Sequence, residues 1–219
     1  MTPDALRGVP GRAERTPPSR RLLIVTCVIW ATLVTGWLGA LLVYESTPAD
    51  AALRPAETWP DELPFARNEG GPTWVLALHP RCPCSNATLE ELNRALTECP
   101  ASLKGHVLVY RPADANGDWT QTRLWRYAES LPDVTMHIDP EGALARRFGV
   151  STSGHVLLFD RAGKLAYEGG LTASRGHVGQ NHGREALVAS WAELEPEPER
   201  RTFPVFGCPI TNEEECAPD

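Results

Sequence analysis

Several signatures that would declare a function are missing from this sequence. No glycine-rich phosphate loop runs into Lys-Ser or Lys-Thr, and no Ser, His and Asp stand at a spacing that supports a hydrolase triad. No internal repeat is visible, which removes solenoid and propeller arrays. Excess positive charge is also lacking. The formal charge is −7 and the pI about 5.4, against the basic footprint of wholesale nucleic-acid binding. With 42% hydrophobic and 22% charged residues the composition is ordinary for a globular protein, so collagen-like, coiled-coil and wholly disordered chains are excluded. The 219 residues allow one folded domain with attachments, and seven Trp can help furnish its core.

The charge is unevenly placed. Arg7, Arg12, Arg15, Arg20 and Arg21 against Asp4 and Glu14 give residues 1–21 a net +3, leaving −10 for the rest. Then Leu22 to Tyr44 (LLIVTCVIWATLVTGWLGALLVY) runs for 23 residues without a charge. At a rise of ~1.5 Å per residue such a helix crosses the ~30 Å bilayer core. Tyr44 stands at its far edge, where an amphipathic ring is favoured, and the preceding arginines predict a cytoplasmic N-terminus. The competing reading is a cleaved signal peptide with a small-x-small site at Ala49-Asp50-Ala51. Signal cores run only about 7–15 residues, which favours a retained anchor. Thr26 before Cys27 speaks against a lipoprotein cysteine, so Cys27 reads as a small apolar residue in the membrane.

Residues 45–72 are rich in Pro, Ala and acidic residues and read as a tether, with Trp59 and Phe65 able to pack back. A regular alternation follows over 73–195. Strands are expected at Trp74–Leu78, His106–Tyr110, Val134–Ile138, His155–Phe159 and Leu165–Glu168, the last two as a hairpin. Helices are expected at Ser85–Glu98, Trp119–Leu131, Glu141–Phe148 and Arg184–Leu194. The order β-α-β-α-β-α-β-β-α predicts an α/β domain whose central mixed sheet is flanked by helices. Residues 196–219 form an irregular tail with two cysteines.

The chemistry lies after the first strand, in His79-Pro-Arg81-Cys82-Pro-Cys84-Ser85. A cysteine at a helix N-terminus meets unpaired N–H groups and the macrodipole, which stabilise a thiolate. Arg81, and His79 if protonated, would act the same way, and a lowered thiol pKa is what makes a cysteine reactive. Two cysteines one residue apart in an oxidising compartment are poorly explained as inert packing.

These features resemble the thioredoxin-like superfamily, in the element order, the cysteines at the first strand–helix junction and the run VLALHPRCPC. Membrane-anchored, extracytoplasmic members related to cytochrome-maturation thioredoxins are most similar. Among these, HPRCPCSNATLEEL, TSGHVLLFD, GGLTASRGH and PVFGCPI resemble bacterial RedB-like proteins. The resemblance implies a thioredoxin-like fold behind one transmembrane helix. It implies a single-pass protein of a bacterial inner membrane with a periplasmic domain. It further implies thiol–disulfide exchange on extracytoplasmic protein thiols or disulfides without a cofactor, with a membrane electron donor as a candidate second partner. Cys82 aligns with the nucleophile and Ser85 with the usual resolving cysteine, so Cys84 stands one residue early in C-P-C. Gly154 takes the place of the family's cis-proline. Cys84 is the first candidate to resolve a mixed disulfide at Cys82, and Cys208 the second.

The remaining thiols leave alternatives open. Cys208 and Cys216 could staple the tail, or Cys208 could reach back to Cys82; Cys99 reads as a buried small residue. A copper-binding chaperone is the competing function. Its ligands would be Cys82, Cys84 and His177 or His182 of the glycine-rich loop, since thiolate and imidazole together suit copper. Histidines in such a loop are otherwise plain solvated residues, and His106, His137 and His155 read as strand packing positions.

Overall fold

The computed structural model describes residues 19–49, 53–99, 103–113, 115, 119–194 and 199–210. The chain divides into two compact units, Met1–Val43 and Tyr44–Asp219. Helix α1 (Arg20–Ser46) extends the expected span by two residues at each end. Its mean hydropathy reaches 2.0 over 18 residues and none of its residues is buried, so it is long and apolar enough to cross a membrane. Most of the basic segment before it lies outside the described residues.

In the second unit, six strands form one mixed sheet. They are β1 (Thr73–Leu78), β2 (Lys104–Arg111), β3 (Val134–Pro140), β4 (His155–Phe159), β5 (Leu165–Gly169) and β6 (Arg201–Thr202), ordered β3-β2-β1-β4-β5-β6. β1, β2 and β3 are parallel, β4 runs antiparallel to β1 and β5, and β6 is parallel to β5. Every residue of β1 is buried, as a central strand covered on both faces requires. Trp74, Leu76 and Leu78 face a core with Leu89 and Leu92 of α2 (Pro83–Glu98), Leu124 of α3 (Arg123–Glu129), and Leu187 and Trp191 of α5 (His182–Ala192). Val75 and Ala77 face a second core with Ala145 of α4 (Ala143–Arg147) and Phe148. The expected α/β architecture is present. The expected helix over Trp119–Leu131 is divided, because Thr122 Oγ1 accepts from Trp125 N at 3.1 Å and begins α3 anew after a 3₁₀ turn at Trp119–Gln121.

The second half of the segment read as a tether is built into the domain. Ala56 N donates to Phe148 O, Trp59 N to Gly163 O, and Leu165 N to Glu57 O at 3.0, 2.7 and 2.8 Å. Trp59, Leu63 and Phe65 pack on the second core. Phe65 stacks on His106 and His137, with centroids 4.5 and 4.0 Å away. His106 Nδ1 and His137 Nε2 lie 2.9 Å apart. Burial, then the neighbouring imidazole, pushes His106 down to about 4, and burial lowers His137. Burial likewise brings His155 to about 4. These rings bind protons more weakly folded than unfolded, so the unfolded chain takes up more protons as pH falls from the ordinary histidine range of about 6.5 towards 4. Thermal melts should therefore show stability falling across that window, with a shallower fall in His106→Gln; equal slopes would refute the assignment to His106.

Candidate functional site

α2 starts immediately after β1, with Cys82 as its N-cap in extended backbone and Pro83 in its first turn. Pro83 suits that position because its missing N–H has no helical partner there. Cys82 and Cys84 are buried, 3% and 4% exposed. The tail returns to this corner. Ile210 N donates to Ser151 O at 2.7 Å and Ser153 N to Cys208 O at 2.8 Å, flanking an antiparallel bridge between Thr152 and Pro209. Gly207 passes so close to Ser153 that a Cβ on it would overlap the Ser153 carbonyl. This pairing lays half-buried Cys208 on Cys82, with the two sulfurs 2.9 Å apart.

The three thiols titrate as a group. Hydrogen bonding to Cys208, then to Cys84, holds Cys82 well below the usual thiol range and outweighs burial. Cys208 is pushed up, first by its bond to Cys82, then by its bond to Cys84 and by burial. For Cys84, the bond to Cys208 lowers the pKa, but the bond to Cys82, burial and the Cys82 charge together raise it; Arg175 pulls it down. Of the three, Cys82 is the thiol held low, and it faces a Cys208 that is pushed up. Arg175, which lowers Cys84, also donates its Nη1 to Gly207 O. Arg81 is exposed, and its N–H donates to His79 Nδ1 at 3.3 Å. Sequence reasoning missed Arg175, although it lies within GGLTASRGH.

Ser85 and Gly154 have structural tasks. Ser85 Oγ donates to His79 O at 2.8 Å and meets Ser153 Oγ at 2.9 Å, while Ser153 Oγ accepts from His79 N at 2.8 Å. That closed ring ties the cysteine turn to the loop before β4. Gly154 (φ 88°) donates its N–H to Ala77 O at 2.8 Å, a bond proline could not make. A Cβ there would also stand 2.8 Å from Thr88 Oγ1.

The other candidates lie apart from these contacts. Cys99 follows the end of α2, half-buried against the first core, where burial pushes its thiol up to about 12. Cys216 lies outside the described residues. His177 and His182 are exposed, and His182 Nδ1 lies 2.9 Å from Glu185 Oε2. Among the described residues, no group of three or more His, Cys, Asp or Glu side chains is arranged to hold a metal ion.

A mixed sheet flanked by helices, with cysteines where the first strand turns into its helix, is now in place. The fold is thioredoxin-like. No family model matches the chain, and no curated protein matches it. Among solved structures, it is similar to an uncharacterized conserved protein from Geobacillus kaustophilus, with 20% identity, 75% of this chain and 94% of that chain covered, and a TM-score of 0.53. A secreted disulfide oxidoreductase from Mycobacterium tuberculosis is 15% identical over 57% of this chain and 83% of its own, with a TM-score of 0.38. An exposed lipoprotein thioredoxin from Streptococcus pneumoniae is 17% identical over 57% and 87%, with a TM-score of 0.41.

Proposed function

We propose that the globular unit performs thiol–disulfide exchange on partner proteins outside the cytoplasm, with Cys82 as nucleophile and Cys208 as resolving thiol. The observation that carries this reading is the 2.9 Å contact between the two sulfurs at the start of α2. The Cys82 thiolate attacks a partner disulfide, forming a mixed disulfide and releasing one partner sulfur as thiolate. Cys208 then attacks the Cys82 sulfur, and its proton passes to the second partner sulfur as that sulfur leaves. The partner has gained two electrons, and Cys82 and Cys208 hold the disulfide; run backwards, the same steps oxidise a dithiol. Cys84, which the sequence favours as resolver, also hydrogen-bonds Cys82 and is the second candidate. The apolar helix and the arginines before it support a single-pass, N-inside placement with the domain in an oxidising compartment. HPRCPCSNATLEEL and PVFGCPI support kinship with RedB-like proteins.

Differential alkylation and peptide mass spectrometry of the full chain in detergent, across a glutathione series, test the reading. Cys82 should pass between thiol and a disulfide with Cys208, and the double variant Cys84→Ala, Cys208→Ala should accumulate mixed disulfides at Cys82. A Cys82 that stays reduced at every poise ends the exchange reading. A Cys82–Cys84 product alone ends the role given to Cys208.

A further inference from the structure

Two thiols compete for one sulfur at this site, and the fold must settle which of them answers Cys82. Cys84 is in the same turn, with Pro83 between. Cys208 arrives on a tail that pairs with the domain upstream, through β6 and the bonds of Phe203 N to Glu168 O and Ala49 N to Val205 O, and around Cys208 itself through the main-chain bonds at Ser151 and Ser153 and the approach of Gly207 to Ser153. The Gly207 carbonyl, in the peptide bond directly ahead of Cys208, accepts from Arg175 Nη1. Arg175 is itself fixed at the start of the globular unit. Its N–H donates to Glu45 O at 3.1 Å and its Nε to Tyr44 O at 3.2 Å, and its guanidinium carbon lies 4.8 Å from the Tyr44 ring centroid. The fork of the guanidinium lets one side chain hold two carbonyls at once, which a single ammonium does less well.

We propose that Arg175 is the positioning residue that makes Cys208, rather than Cys84, the resolving thiol. By holding the Gly207 carbonyl it keeps the Cys208 peptide over Cys82, so the sulfur on the distant tail meets the mixed disulfide before the sulfur in the turn. Without that bond the tail spends less time seated. Cys82 is then resolved more often by Cys84, with the same electron balance but a different bond. This inference rests on the exchange reading above.

The test is the ratio of Cys82–Cys208 to Cys82–Cys84 disulfide, read by peptide mass spectrometry on the full chain at one fixed glutathione poise. In Arg175→Gln the ratio should fall by about tenfold or more, the scale of one charge-assisted hydrogen bond. Arg175→Lys should recover part of it. The lysine variant covers a glutamine variant that fails to fold. A ratio within about threefold of the unchanged chain in both variants overturns the role of Arg175 while leaving exchange intact. If the unchanged chain forms no disulfide at Cys82, the exchange reading falls, and this one with it.

Discussion

Gly207→Ala should unseat the tail and open the cysteine turn to solvent. An alanine Cβ at this position overlaps the Ser153 carbonyl, and both sides of the contact are backbone, so no flexible side chain can yield. Overpacking of this kind costs about 1–3 kcal/mol. The tail resists it with the bonds at Ser151 and Ser153, the Arg175 contact and, further upstream, the bonds at Val205 and Phe203, each worth roughly 0.5–3 kcal/mol. The clash is therefore large enough to shift the seated population severalfold or more. Cys82 is 3% exposed with the tail in place. The reduced variant should be alkylated at Cys82 about tenfold faster than the unchanged chain, a shift of about 1.4 kcal/mol. Its Cys82–Cys208 disulfide should form more slowly. Unchanged alkylation would mean that the tail does not limit access.

Glu91→Ala should produce the largest loss of stability. Glu91 is on α2, fully buried. It accepts from Gly179 N at 2.8 Å and Asn181 Nδ2 at 3.1 Å, and it pairs with Arg94 at 3.0 Å and Arg184 at 3.1 Å. Asn181 in turn caps α5 by accepting from Arg184 N at 2.7 Å. One carboxylate thus ties α2 to the end of the glycine-rich loop and the start of α5. Its removal leaves Arg184, with a side chain only 18% exposed, paired with Glu98 alone beside the space the carboxylate filled. Breaking such a pair costs about 3–5 kcal/mol. Urea unfolding of the full chain in detergent should show a loss of that order. A loss under about 1 kcal/mol would show that water replaces the carboxylate at little cost.

Much of the architecture was legible because its signals are local. β1 and β2 are short apolar runs, α2 carries Leu89, Leu92 and Ala95 on one face, and Gly163 marks the β4–β5 hairpin. The docking of Trp59 and Phe65 was foreshadowed only by their apolar rings, since a proline-rich segment has no periodicity to reveal what it packs on. The cysteine turn was legible from its residue types and its place after β1. Its partner was named only as the second of two candidates, Cys208 after Cys84. Cys208 reaches Cys82 through main-chain pairing with Ser151–Ser153, and such pairing leaves no pattern when the paired stretch is three residues long. Arg175 was hidden for a related reason, because its partner is a carbonyl that every residue possesses. Ser85, read as the gap left by a missing cysteine, instead closes a hydrogen-bonded ring that anchors the turn.

Cys82 and Cys208 are 126 positions apart in the chain. A bond between them would close most of the globular unit into one ring, and a ring of that length removes about 5 kcal/mol of chain entropy from the unfolded state. The relation is reciprocal, since whatever free energy folding contributes to gathering the sulfurs, the bond returns to folding. Electron affinity and conformational stability are then two readings of one quantity. Each oxidised turn of the cycle leaves the domain harder to open, and each reduced turn leaves it easier. Folding free energy becomes part of the driving force that moves electrons to or from a partner.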